Sequence, residues 1–302
     1  MRVVEQKPRI AGFWMMVAFC DMNLGNHSQA LRILRRAERY SPKNGNIQAH
    51  IGRTQLELNK PKLAERALRK SVKLDPKAST CIFLNHALFL QNREKEGVVF
   101  LRLALKLEPK NEEVHLNLGE YYSRHKKLKK AEAHFRMAIE IDIKYALAYS
   151  ELGQLLLHKK QYKEARRILS KSVRLEPDYY WSHLYLAHTN HVLRKLKEAE
   201  EQYNEALRIS PNDPFTLALY GDFLSSENRR LDKAEKYFSM AVTRMPTNDE
   251  VQFYVGKHYC RVGKYDKSRV HLKIAARKGH KRAGEILKRI KYYKSETDKT
   301  LH

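Results

Sequence analysis

The densest chemistry in this sequence is RHKKLKK, residues 124–130. There Arg124, Lys126, Lys127, Lys129 and Lys130 place five cations in seven positions, with His125 among them and no acid. Such a run can hold phosphates or carboxylates. A second cluster is WSHLYLAHTNH, residues 181–191, which carries His183, His188 and His191. His188 and His191 stand three apart on a helical pattern and could ligate a metal. No cysteine nearby completes a ligand set, so a structural or solvated role is expected for them and no metal site. Cys20, Cys81 and Cys260 are far apart and form no CxxC pair, which fits small core residues in a reducing compartment better than a disulfide framework. No GxGxxG, P-loop, HExxH or GxSxG stretch occurs, and no carboxylate pair stands out from surface Glu/Lys patterning. The expectation is a protein that binds rather than catalyses, without a cofactor.

The elements that hold these groups follow from composition and spacing. Of 302 residues, 42% are hydrophobic, enough to build a core, while the formal net charge is +25. That charge predicts attraction to an anionic partner such as RNA, an acidic protein or an anionic membrane face, and predicts nothing about fold. Gly (12) and Pro (9) are scarce, and no Gly/Ser- or Pro-rich stretch separates two halves, which argues for one continuous architecture. The apolar segment IAGFWMMVAFC, residues 10–20, is shorter than the ~20 residues a membrane span needs, and a signal-peptide reading is less apt than the one below. The compartment expected is cytoplasmic or another reducing one, with a site peripheral to a membrane as the alternative.

Prolines at 42, 76, 109, 177, 211 and 246 are spaced by 34, 33, 68, 34 and 35 residues, an array of period about 34 with one proline replaced by Ile143. Superposed segments begin near 11, 45, 78, 112, 146, 180, 214 and 249. In each, the eighth position is small or polar (Gly52, Gly119, Gly153, Gly221 and Gly256 among them). A second small residue follows twelve later and a third seven beyond that, with a large apolar residue such as Leu68, Phe135, Leu169 or Phe238 between the last two. Two antiparallel helices need small side chains where their axes approach and large ones beside the crossing. The proline then ends the second helix. The third unit departs most, with Asn85 and Gly97 at its small positions.

The pattern resembles the tetratricopeptide repeat family, whose signature runs W-x2-L-G-x2-Y, A-x3-F, A, P. LNLGEYYSRHKKLKKAEAHFRMAIEID (116–142) and ELGQLLLHKKQYKEARRILSKSVRLEP (151–177) are good copies, and Trp14 takes the tryptophan position of the first unit. The resemblance implies an all-α, right-handed superhelical solenoid of helix-turn-helix hairpins. On this reading 1–10 is an N-terminal extension and 11–278 holds eight repeats. Residues 279–294 form an amphipathic capping helix with Ala283, Ile286, Leu287 and Ile290 on one face, and 295–302 is a frayed tail.

In this family the first helix of each hairpin lines a concave groove. Carried over by position, the groove residues here are Arg53, His86, Phe89, Glu120, Gln154, Trp181, His188, Phe215, Phe253 and Lys257. They suit an extended peptide or a helix from a protein partner; unpaired RNA bases stacking on Trp181 or Phe215 are the alternative. The Lys-with-Asn arrangement by which some members hold acidic chaperone C-termini is absent, so no chaperone clamp is expected. In such hairpins, turns within repeats stack along one edge. Here those turns carry Arg124, Lys126, Lys127, Lys129, Lys130, Lys159, Lys160, Arg194, Lys195, Lys197, Arg229 and Arg230, while the turns around the prolines are mildly acidic. A basic ridge is the expectation. The function expected is a protein-binding scaffold supporting assembly of a larger complex. The alternatives are an RNA-associated or ribonucleoprotein-assembly factor and, less favoured, a peripheral membrane organiser. Oligomeric state is not specified by any of these features.

Overall fold

A proline followed two residues later by Asn or Asp sets where helices begin. In Pro42-Lys43-Asn44, Pro109-Lys110-Asn111, Pro211-Asn212-Asp213 and Pro246-Thr247-Asn248 the proline stops the preceding helix. The Asn or Asp side chain then accepts a backbone N–H of the next helix: Ile47 at 3.3 Å, Val114 at 3.0 Å, Thr216 at 2.7 Å and Val251 at 3.0 Å. The result, in a computed structural model that describes residues 2–227 and 230–299, is seventeen helices and no strand among the described residues.

The chain divides into two compact units, residues 1–148 and 149–302. Unit 1 holds α1 (Arg2–Asn23), α2 (His27–Tyr40), α3 (Gly45–Glu57), α4 (Pro61–Leu74), α5 (Ala78–Phe89), α6 (Glu94–Leu107), α7 (Glu112–Arg124) and α8 (Leu128–Ile141). The boundary falls in the first turn of α9 (Ala146–His158). Unit 2 continues with α10 (Tyr162–Leu175), α11 (Tyr180–Val192), α12 (Leu196–Ile209), α13 (Pro214–Ser226), α14 (Leu231–Arg244), α15 (Asp249–Arg261), α16 (Tyr265–Arg277) and α17 (Lys281–Lys299). The first helix runs from Arg2, so residues 2–10 of the expected extension are helical, and the last helix runs to Lys299, while 300–302 lie outside the described residues.

Within each hairpin the close approach is at the eighth position. A Cβ added to Gly119 would sit 2.5 Å from the Phe135 ring, one on Gly153 2.4 Å from Leu169, and one on Gly256 2.6 Å from Leu272. The large residue of the second helix therefore fills the space that glycine vacates on the first. In the third hairpin the exchange is reversed: Asn85 occupies the small slot, and Gly97 opposite makes room, since a Cβ there would meet Asn85 Oδ1 at 2.7 Å. The two deviant residues compensate one another.

A second histidine or glutamine slot ties hairpins to the proline turns. His115, His183 and Gln252 donate to the carbonyls of Pro109, Pro177 and Pro246 at 3.1, 2.8 and 2.7 Å. His183 thus serves the fold: its other ring nitrogen meets Gln202 at 2.8 Å. Among the described residues, no group of three or more His, Cys, Asp or Glu is arranged to hold a metal. Cys20, Cys81 and Cys260 are free thiols, and burial pushes Cys81 up to about 11. No described helix is long and apolar enough to cross a membrane.

Candidate partner-binding surfaces

First helices of successive hairpins pack on one another, α3 on α5 and α5 on α7 in unit 1, α11 on α13 and α13 on α15 in unit 2. Residue position along the helix then decides what stays open. The fifth position is at that contact: Ile82, Leu116, Leu184 and Ala218 are all buried. Phe253, one of the residues expected in the groove, shares this position. It is 5% exposed, stacked on His280 with ring centroids 4.0 Å apart, and enclosed by Leu272, Ala275, Ala283 and Ile290. α17 follows this hairpin and supplies its apolar cover. Most second, ninth and twelfth positions remain at least partly open, whereas Asp222 at the ninth and Met22 and Ser225 at the twelfth are buried.

In unit 1 that face is charged and loosely connected. Arg53 and His86 are exposed, with the Arg53 guanidinium over the Phe83 ring at 5.6 Å. Phe89 is exposed, and Arg124 lies over it at 4.7 Å. Burial raises the Glu120 carboxyl despite Arg124 at 3.4 Å, and burial together with Glu112 raises Glu113.

In unit 2 the same positions form a strip of half-buried groups in contact. Gln154 donates to the Tyr185 hydroxyl at 2.6 Å. Trp181 stacks on Tyr185 at 5.6 Å and lies 6.0 Å from Phe215. Beyond them His191 meets Ser226 at 3.0 Å. Asp222 is buried and is held by Lys257 at 2.8 Å and Arg261 at 3.4 Å. Burial alone would raise Asp222, but these two cations keep it below the ordinary carboxylate range. His188 is half-buried among His191, Asp222 and Lys257, and burial pushes it down to about 4, so it is neutral at pH 7. Tyr185, one position off the family's groove register, was not anticipated from sequence. Its signal was the spacing Trp181-x3-Tyr185, which puts the two rings one turn apart on α11. A cavity of about 480 Å³ lies elsewhere, at the α1–α2 turn beside His27, Arg32 and Leu58.

The turns between paired helices divide by residue type. Each has one residue with positive φ: Gly25, Asn59, Asn92, Lys126, Lys160, Arg194, Arg230 and Gly263. Several of the cations expected on a ridge reach back instead to an acid. Arg124 pairs with Glu94 at 3.3 Å, Arg194 with Glu227 at 2.5 Å and Lys195 with Glu198 at 3.5 Å, while Arg230 pairs with Glu200. Lys159 has an interaction of its own. Lys126, Lys127, Lys129, Lys160 and Lys197 have no ion partner among the described residues, and the Lys130 ammonium lies 5.6 Å from the Tyr122 ring centre. Arg229 lies outside the described residues.

Comparison with known proteins places this architecture. Tetratricopeptide repeat family models match residues 21–79 and 156–221. A search of curated proteins returns no significant match. Among solved structures, one similar chain belongs to the APC/C hetero-tetramer Cut9–Hcn1, with TM-score 0.71 and 16% identity over 80% of this chain. This chain spans only 48% of that one's length. A tetratricopeptide repeat protein from Parabacteroides merdae gives TM-score 0.64 and 15% identity, covering 82% of this chain and 98% of that one. A human IFIT1 dimer with PPP-AAAA gives 0.58 and 18%, covering 83% and 68%. At these identities the likeness is one of fold. With the helix pairs, their small-to-large contacts and the two matched segments in agreement, the chain carries tetratricopeptide repeats over those segments and is an all-α helical repeat solenoid.

Proposed function

We propose that this protein is a non-catalytic scaffold that holds a segment of a protein partner on the first-helix face of unit 2 and so supports assembly of a larger complex. The observation that carries the reading is the strip Gln154–Tyr185–Trp181–Phe215. Rigid aromatic rings with polar edges offer large contact area at little cost in side-chain entropy, and such residues dominate the energetics of partner binding. Gln154 holds Tyr185, Tyr185 flanks Trp181, and Lys257 with Arg261 adds a cationic end beside Asp222. The partner segment fitting this surface carries apolar anchors at one end and an acid at the other. Solenoid repeats present extended surfaces of this kind, and the neighbour from the APC/C complex is in keeping with a role in assemblies.

A displayed random-peptide library selected on the full chain tests the reading. Enriched peptides should share aromatic or aliphatic anchors spaced from an acid. Trp181→Ala should weaken them at least tenfold while circular dichroism stays unchanged, and binding should persist at high salt. Selection of no peptide family, or equal binding by the Trp181→Ala variant, would refute the strip as the docking surface.

A further inference from the structure

The turn between α7 and α8 is unlike the others in what it exposes. Four lysines, Lys126, Lys127, Lys129 and Lys130, stand within five residues, and none forms an ion pair among the described residues. Arg124, just before them, is already held by Glu94 and Glu120. The neighbouring helix α6 opens with Glu94 and Glu96, whereas α8 has no acid in its first turn.

Lys126 sits at φ 58°, in the slot that Gly25, Gly263, Asn59 and Asn92 occupy in four hairpins and Lys160, Arg194 and Arg230 in three. Left-handed backbone favours glycine or asparagine over a long side chain. Arg194 and Arg230 pair with acids from this slot, whereas Lys126 bears the same conformational cost with no ion partner among the described residues.

Rings adjoin the lysines. His125 is exposed and lies against Tyr121 with centroids 4.3 Å apart. Its Nδ1–H donates to the Tyr121 carbonyl at 2.9 Å, which fixes the ring plane. Tyr122 lies beneath Lys130. Tyr121 and Tyr122 are half-buried, and Phe89 adds a second exposed ring beside His125, beneath Arg124. Leu128 is the sole aliphatic residue of the run and is half-buried, so the turn has no apolar wedge for a bilayer. An acidic protein would answer the lysines but would leave the ring faces unused.

From this combination we infer that the α7–α8 turn is a second binding site, for single-stranded nucleic acid, distinct from the peptide strip. The lysines take consecutive phosphates, and the faces of His125 and Tyr121 take an unpaired base. Lysines supply the electrostatic part, and ring stacking supplies a part that needs no particular base.

The test is fluorescence anisotropy on the full chain with a labelled twelve-nucleotide RNA, its DNA counterpart, an abasic strand of equal length and vesicles containing phosphatidylserine. Four phosphate contacts predict that RNA affinity falls ~50-fold between 50 and 200 mM salt. Lys126→Glu/Lys127→Glu/Lys129→Glu/Lys130→Glu should abolish binding. His125→Ala should weaken the normal strand several-fold and leave the abasic strand unchanged. Lys126→Gly should raise the melting temperature yet weaken RNA binding, a trade that a purely structural lysine would not show. The DNA arm separates the two nucleic acids as sources of the same chemistry. Undetectable binding at 50 mM salt, equal binding by the quadruple variant, equal affinity for the abasic strand, or vesicle binding that matches RNA and is lost in the same variant would each overturn the proposal.

Discussion

The first-helix faces of the two units are built on the same hairpin and differ in how their polar groups are settled. At the ninth position unit 1 carries Glu120 and unit 2 carries Asp222. Glu120 has one arginine at 3.4 Å and a carboxyl raised by burial; Asp222 has a lysine and an arginine and a carboxyl lowered by them. One face is a set of loosely connected charges. The other is a knit strip in which aromatic and ionic groups fix one another. The comparison teaches that repeat position sets which way a side chain points, whereas its neighbours one repeat away set whether it is free to act.

The strongest way to break this contrast is to neutralise each carboxylate without changing its shape. Asp222→Asn leaves Lys257 and Arg261 facing a neutral amide and should cost about 3 kcal/mol in urea unfolding. Glu120→Gln removes a charge that its surroundings disfavour and should fall within about 0.5 kcal/mol of the parent. Equal losses at both sites would erase the distinction drawn here.

A smaller effect should show where the units agree. Gly119→Ala and Gly153→Ala each push a methyl against the large residue of the second helix. Overpacking costs about 1–3 kcal/mol, offset by about 1 kcal/mol of helix propensity. Both variants should therefore lose up to about 2 kcal/mol by the same measurement. Neutral behaviour in one unit alone would show that its hairpin is the looser.

The mildest probe is pH. His188 in unit 2 is lowered by burial, and His191 and Lys257 add to this while Asp222 opposes it. Because its folded pKa lies below the unfolded value, the neutral ring's contribution is present above about 6.5. It is lost as pH falls toward about 4. Stability should drop by about 1–2 kcal/mol between pH 7 and 5 on this account. His188→Gln should shrink the drop, and an unchanged drop in that variant would assign the pH response elsewhere, for instance to His134 in unit 1, which burial also holds near 4.

Separation along the chain decides which contacts are legible in the sequence. The glycine at the eighth position and the large residue sixteen later are both inside one hairpin, so the pattern that identified them also says they touch. The surroundings of Phe253 and of the turn arginines lie outside any such pattern for the opposite reason. What buries Phe253 is α17, beyond its own hairpin, and what occupies Arg194 and Arg230 is an acid about thirty residues away. A position-by-position reading treats all turn cations alike, whereas the structure separates arginines that stitch neighbouring hairpins from lysines left facing solvent.

The sequence by itself determined the repeat, because a period of about 34 with proline stops and small-to-large exchanges is a local constraint that each hairpin must satisfy alone. Only the tertiary structure decided which charges are already paired and which rings meet. Those contacts join residues one repeat apart, such as Gln154 with Tyr185, Asp222 with Lys257 and Arg124 with Glu94, and no periodicity within a hairpin encodes them.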